Sequence, residues 1–199
     1  MFTDRSITDD AKFDAMVLNS YGNRSELTPA REEAKKLYPA VSAPGSPYKT
    51  ELDRLSSYVS EQSFTCHNRL ISDAYPGKVY TVQYAVAPAT HGSDQTGTFF
   101  NPLNPQYSNF SKSEIEARQG FQSYLVSFAL AGDPNKSRNK ATTIEWPLTS
   151  GFNETTLSNV LNVQNLTGIN GFSLTNDLQQ VKSRCNFWTE LQKTVEKLL

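Results

Sequence analysis

The chain has 199 residues, enough for one large domain or two small ones, and its 37% hydrophobic and 20% charged residues are typical of a globular protein. Its 19 basic and 20 acidic residues leave a formal net charge of -1, which argues against nucleic-acid binding because that function usually needs a basic face. No apolar run approaches the length that crosses a bilayer, so the sequence predicts no transmembrane segment.

The first third of the chain predicts short helices. After Thr8, three apolar side chains share one helix face: Phe13, Met16 and Val17. Two pairs of a capping residue with a proline predict helix starts: Thr28-Pro29 and Ser46-Pro47. A further helix start is predicted within residues 64–71.

A β-strand is predicted for residues 78–86, because four large side chains alternate onto one face: Tyr80, Val82, Tyr84 and Val86. A proline-containing loop spans residues 87–108, and residues 160–166 form a weaker strand candidate. Two strands cannot form a stable β-layer by themselves. The chain is therefore expected to be part of an α/β domain whose sheet is completed by further chain.

A strong helix is predicted in the second half. Two serine–glutamate pairs have the spacing of a capping box, and they are Ser111/Glu114 and Ser113/Glu116. The apolar stripe of this helix consists of Phe121, Tyr124, Leu125 and Phe128, and Gly132-Asp133-Pro134 ends it. The chain closes on an amphipathic helix with one apolar side: Cys185, Trp188, Leu191, Val195 and Leu198.

The two cysteines, Cys66 and Cys185, lie far apart in the sequence. They fit neither a zinc site nor a Cys-x-x-Cys redox pair. The sequence leaves two alternatives for this pair, namely two buried free thiols or one disulfide. A disulfide that closes so long a loop would stabilise the fold by roughly 4–5 kcal/mol in the chain-entropy model.

Five Asn-x-Ser/Thr sequons are possible glycosylation sites: Asn23, Asn109, Asn135, Asn153 and Asn165. Chance predicts about three at this composition, so the sequons alone leave secretion open. No signal-peptide core follows Met1. If the protein is secreted, the sequence is expected to be a fragment, or its start to be an artefact.

The most informative motif is His91-Gly92-Ser93-Asp94, directly after the predicted strand. Many hydrolases place their general base on a loop that leaves a sheet. From local context alone, a loop histidine without function and a turn role for Asp94 remain alternatives. The nucleophile elbow Gly-x-Ser-x-Gly is absent, because no two of the 10 glycines lie four residues apart. Neither a metal site nor a cofactor site is predicted, since the cysteines and histidines are few and no Gly-x-Gly pair occurs.

These motifs, in this order, resemble the C-terminal part of the type-B carboxylesterase family, which includes cholinesterases and fungal esterases and lipases. The matching segments are Phe64–Arg69 (Phe-x-Cys-Pro-x-Arg), the strand 79–84, His91–Asp94 (His-Gly-x-Asp/Glu), Gly132–Asn135, Trp146-Pro147 and Arg184–Trp188 (Arg-Cys-x-Phe-Trp). The chain departs from the pattern at His67, where the family has proline, and at residues 95–97, which are more polar.

The resemblance implies an α/β fold, namely the C-terminal part of an α/β-hydrolase fold that is helix-rich and holds the last strands of the central sheet. Residues 1–199 would be the C-terminal portion of a single domain whose nucleophile-bearing N-terminal part is absent. The resemblance implies His91 as the base of a Ser-Glu/Asp-His triad and Asp94 as support for its loop. It also implies a Cys66–Cys185 disulfide and, with the sequons, a secreted, extracellular glycoprotein.

The expected function is that of a carboxylic ester hydrolase, a serine esterase acting on a small-molecule or lipid ester. Its partner would be the missing N-terminal part, without which the chain is expected to be inactive. Two alternatives stay open: a non-catalytic cholinesterase-like binding or adhesion protein, and an inactive gene fragment.

Overall fold

A computed structural model describes residues 6–21, 24–164 and 168–198. The chain divides into two compact units, of which the first combines the residues up to Ala74 with those from Gln179 onward, and the second is Tyr75–Leu178. In these described ranges no helix has the length and apolar character needed to cross a membrane. The assignment of the whole chain to a single domain stays a prediction.

The first unit is built from helices. They are α1 (Asp10–Tyr21), α2 (Thr28–Leu37), α3 (Glu51–Ser60), α4 (Cys66–Ala74) and α7 (Lys182–Glu196), with a short 3-10 turn at Ser25–Leu27. A π-helical segment, Glu61–Thr65, joins α3 to α4, so one uninterrupted helix runs from 51 to 74. The helix start predicted within 64–71 is therefore wrong, because that segment continues a helix that begins earlier.

The predicted helix start at Ser46-Pro47 is also wrong, whereas the start at Thr28-Pro29 is confirmed. Helix α3 begins at Glu51 because Thr50 makes a capping box: its Oγ1 accepts from the Asp53 N–H at 3.1 Å, and the Asp53 carboxylate accepts from the Thr50 N–H at 3.0 Å. The Ser46 hydroxyl accepts from a backbone N–H two residues later instead, which is a local turn.

Side chains from one face of each helix form the core of the first unit. Its members with 1% or less of their surface exposed are Phe13, Val17, Ala34, Tyr38, Leu55 and Tyr58. Cys66 on α4 and Cys185 on α7 border this core and form a disulfide with Cα atoms 4.9 Å apart. The predicted apolar faces of α1 and α7 are thus confirmed as the packed faces.

A buried polar network crosses the same core. The Glu61 carboxylate is 1% exposed and accepts from Arg184 Nε at 2.6 Å, Arg184 Nη2 at 2.7 Å and the Tyr38 hydroxyl at 2.7 Å. The Trp188 indole N–H donates to the Tyr38 oxygen at 2.7 Å. Burial, followed by the negative charge of Glu61, raises the pKa of Tyr38. The network ties the π-helical segment to α7 with every charge compensated.

The second unit is a small mixed sheet with two helices. Its strands are β1 (Val82–Tyr84), β2 (Leu157–Val163) and β3 (Phe172–Asp177), in the order β1-β2-β3. Strand β1 runs parallel to β2, with Val82 opposite Leu161, and β3 runs antiparallel to β2. The helices are α5 (Gln95–Thr98) and α6 (Lys112–Ala131), with short 3-10 turns at Pro105–Tyr107 and Gly168–Gly171.

Helix α6 confirms the predicted cap and stop. Ser111 caps it in a capping box with Glu114, and Gly132 ends it with a left-handed φ of 68°. Phe121 and Tyr124 pack against Trp146 and the sheet, as predicted, but Phe128 is 49% exposed. The predicted stripe is therefore correct over the middle of the helix, while its last member reaches the surface.

Candidate active site

His91 lies on the loop that leaves the C-terminal end of β1, and its side chain is exposed. The loop is a run of tight turns. The Ala89 N–H donates to the Val86 carbonyl at 2.7 Å, and the Ser93 N–H donates to the Thr90 carbonyl at 2.9 Å. The Ser93 hydroxyl oxygen in turn accepts from the Thr90 N–H at 3.0 Å, so local hydrogen bonds enclose His91 on both sides.

Two residues beside His91 have left-handed backbone conformations. Gly92 has a φ of 82°, which favours glycine, and Ala89 has a φ of 50°, which is uncommon for a residue with a Cβ. Strained φ values of this kind cluster at functional sites, where surrounding structure holds them in place. The backbone of this loop is therefore held in a defined conformation.

Asp94 lies directly before α5, and its carboxylate is exposed and makes no capping hydrogen bond to that helix. Its main-chain carbonyl accepts from the Gly97 N–H at 3.0 Å and from the Thr98 N–H at 2.8 Å. These bonds form the first turn of α5, so the support of the histidine loop by Asp94 stays a prediction.

Arg118 on α6 is a buried basic residue that the sequence pattern did not single out. Its guanidinium lies 3.8 Å from the ring centroid of Phe110 and donates through Nη1 to the Glu114 carbonyl at 3.1 Å. Burial lowers the pKa of Arg118. Its position three residues before Phe121, on the apolar stripe of α6, was the signal that could have identified it.

The predicted glycosylation sites differ in accessibility. Asn109 and Asn153 are exposed, whereas Asn23 and Asn165 lie outside the described residues. Asn135 is internal: its amide nitrogen donates to Asp133 at 3.1 Å and to the Trp146 carbonyl at 2.7 Å, and its oxygen accepts from the Trp146 N–H at 2.8 Å. Because glycosylation replaces a hydrogen on that nitrogen, the folded chain disfavours Asn135 as an acceptor.

A cavity of about 480 Å³ lies in the first unit, beside the disulfide. Its lining includes His67, Gln62, Trp188 and Gln192, and it contains neither His91 nor Asp94. Within the ranges that the structure describes, no group of three or more His, Cys, Asp or Glu side chains could hold a metal ion.

The solved structure of EstA from Aspergillus niger has the same fold, with a TM-score of 0.67 over 96% of this chain and 37% of EstA, at 18% identity. The chain accordingly has the fold of the C-terminal part of an α/β hydrolase, helix-rich and with a small sheet.

Three curated fungal proteins are similar in sequence. A secreted lipase from Arthroderma benhamiae is 35% identical over 71% of this chain and 27% of its own length. Carboxylesterase patB from Aspergillus clavatus is 33% identical over 65% of this chain and 22% of its own length, and patB from Penicillium expansum is 29% identical over 68% and 23%. No protein-family model matches the sequence.

The predicted resemblance to the C-terminal segment of a carboxylesterase or lipase is thus confirmed. The chain spans about a quarter of the length of the curated relatives that it matches.

Proposed function

We propose that this chain supplies the catalytic base, His91, of a Ser-Glu/Asp-His triad in a carboxylic ester hydrolase. The observation that carries the proposal is the position of His91 on an exposed loop at the C-terminal end of β1, the strand that runs parallel to β2. In open α/β sheets, ligands bind outside the carboxyl ends of the parallel strands. The sequence similarity adds support, because the similar proteins are named as a lipase and a carboxylesterase.

In this mechanism the His91 imidazole takes the proton from a serine hydroxyl as that oxygen attacks the ester carbonyl. It then gives the proton to the departing alkoxide, so that an alcohol leaves, and it repeats the exchange with water during deacylation. The serine and the acidic member of the triad would come from chain outside this sequence, since no nucleophile elbow occurs within it. The substrate would be a small-molecule or lipid ester.

An open strand edge and exposed apolar side chains in the second unit favour a partner that completes the domain. Among the described strands, β1 has only β2 beside it, and Val82 on it is 39% exposed. On α6, Val126 and Leu130 are 56% and 79% exposed. Open strand edges and grouped apolar side chains are usually covered in stable proteins. The remainder of the hydrolase domain is the occupant that we propose.

We also propose that the protein works outside the cell. The Cys66–Cys185 disulfide suits an oxidising compartment, one relative is a secreted lipase, and Asn109 and Asn153 offer exposed sequons. Endoglycosidase treatment of secreted material should lower its mass. A mass that does not change would contradict the glycoprotein assignment.

The test is ester hydrolysis by a longer polypeptide that contains this segment. His91→Ala should lower kcat by a factor on the order of 10³, because it removes the general base. His67→Ala is the matched control, since it removes the only other histidine and should leave turnover unchanged. Full activity in the His91 variant would refute the proposal.

The 199-residue chain alone should not hydrolyse an activated ester such as p-nitrophenyl butyrate. Turnover that depends on His91 would contradict the argument that the nucleophile lies elsewhere. If the longer protein lacks the elbow serine, the binding or adhesion alternative replaces the hydrolase.

A further inference from the structure

Helix α5, the element that follows the His91 loop, is too short to hold its own position. It has only 4 residues, Gln95–Thr98, and so small a helix is unstable without tertiary contacts. Hydrogen bonds join the start of α5 to the turns of the loop that carries His91. The Gln95 N–H donates to the Gly92 carbonyl at 3.1 Å, and the Thr96 hydroxyl donates to the Ser93 carbonyl at 3.0 Å. A displacement of α5 would therefore displace His91.

One side of α5 lies directly against the sheet and α6. A methyl group at Gly97 would come within 3.2 Å of the Tyr84 hydroxyl oxygen and 3.3 Å of the Phe121 ring. This contact sets how closely α5 approaches its neighbours, but it does not stop the helix from sliding or fraying at its end.

Gln122 on α6 supplies the directional contact. Its side-chain nitrogen donates one hydrogen bond to the Thr98 carbonyl at 3.1 Å and another to the Phe100 carbonyl at 2.8 Å. These are carbonyls at and just beyond the end of α5, where a helix leaves acceptors without an internal partner. Both donor positions of the amide nitrogen are thus used to fix the C-terminal end of one short helix.

We infer that Gln122 is the positioning residue for His91: it holds α5, and α5 holds the turns that carry the imidazole. The inference deepens the proposed function, since it concerns a catalytic role only if His91 is the base. Gln122 acts through α5 and not on the substrate. Its removal should therefore change the environment of the His91 imidazole without abolishing the fold.

The experiment uses the isotope-labelled 199-residue chain, which has just two histidines and hence an internal reference in His67. The imidazole cross-peaks of both histidines are recorded by NMR at one fixed pH, and amide exchange is measured at Thr98 and Phe99. Gln122→Leu removes the donors, and Gln122→Glu is nearly isosteric but cannot donate when ionised.

Both Gln122 variants should shift the imidazole cross-peak of His91, leave that of His67 unchanged, and accelerate exchange at Thr98 and Phe99 roughly tenfold or more. Gln119→Leu is the matched control, because Gln119 is an exposed glutamine on the same helix. It should reproduce the wild-type spectra.

An unchanged His91 cross-peak in both Gln122 variants would overturn the inference. Equal shifts at His67 and His91 would also overturn it, because they would indicate general loosening. None of these measurements involves ester hydrolysis. A longer protein that stays active after His91→Ala would therefore refute the base assignment and leave the positioning result standing.

Discussion

Replacing Gly97 by alanine tests how closely α5 packs against the sheet. Gly97 is buried and has no left-handed φ, so alanine is not strained in its backbone. Alanine should gain about 1 kcal/mol of helix propensity. The new methyl would meet the Tyr84 hydroxyl oxygen at 3.2 Å, the Tyr84 ring at 3.3 Å and the Phe121 ring at 3.3 Å, and overpacking of this kind costs about 1–3 kcal/mol. We expect the second unit to lose about 1 kcal/mol of its free energy of unfolding.

A second substitution separates the packing cost from the propensity gain. The Tyr84 hydroxyl is buried and has no hydrogen-bond partner in the structure. Tyr84→Phe should therefore be neutral or stabilising by up to about 1 kcal/mol, and it removes the shortest contact with the new methyl. In that background Gly97→Ala should cost less than in the wild type, because the two ring contacts at 3.3 Å remain but the hydroxyl contact is gone, so the double-mutant cycle should show a coupling of up to about 1 kcal/mol.

Urea denaturation of fluorotryptophan-labelled chain provides the assay. Of the two tryptophans, Trp146 lies in the core of the second unit and Trp188 in that of the first, so their ¹⁹F signals report each unit separately. The change should appear at Trp146 and not at Trp188. The reasoning is refuted if Gly97→Ala stabilises the wild type, or if its cost is the same in both backgrounds.

Three further predictions concern the caps and cross-links. Replacing Cys66 and Cys185 by serine should cost about 5 kcal/mol in guanidinium denaturation, since the bond links residues 119 apart; a loss under about 1 kcal/mol would contradict the loop-entropy account. Glu61→Leu leaves a buried guanidinium uncompensated and should cost about 3–5 kcal/mol by thermal unfolding, whereas a neutral result would show that the ion pair is dispensable. Ser111→Ala should cost about 1 kcal/mol at neutral pH. Hydrogen bonds from Ser111 lower the pKa of Glu114 in the folded chain. The stabilisation from the ionised carboxylate is therefore present above the unfolded-state pKa and is lost as the pH falls through the folded-state pKa. The cost of Ser111→Ala should accordingly shrink in unfolding measurements at about pH 3, and an unchanged cost at that pH would be inconsistent with an ionised capping box.

The helices that could be predicted are those whose signals are local. Ser111 and Gly132 bracket α6 because a capping hydroxyl and a left-handed glycine act within one turn of the helix end. Ser46-Pro47 also combines a capping residue with a proline, but α3 begins instead after the capping box at Thr50. That start lies closer to the residues of α3 that are buried in the core. Where two local signals compete, packing decides between them.

Strand β3 escaped prediction because its evidence is not local. Residues 172–177 are mostly polar and alternate only weakly, and they form a strand through pairing with β2. The support of the His91 loop is similar. His91 could be proposed as the base from its place after a strand, but the contacts of Gln122 with α5 join segments more than 20 residues apart. No pattern within either segment specifies them.

The π-helical segment Glu61–Thr65 has a consequence for helical phase. Each residue of an α-helix turns the chain by about 100°, and a π-turn holds one residue more than the α-helical turn that it replaces. If the same residues instead formed a regular α-helix, Cys66 and everything after it in α4 would be rotated by about 100° relative to α3. Cys66 would then point away from Cys185 on α7. The extra residue in this segment therefore sets the angle at which the α4 side chains project relative to those of α3. Whether Cys66 and Cys185 can form their disulfide depends on that angle.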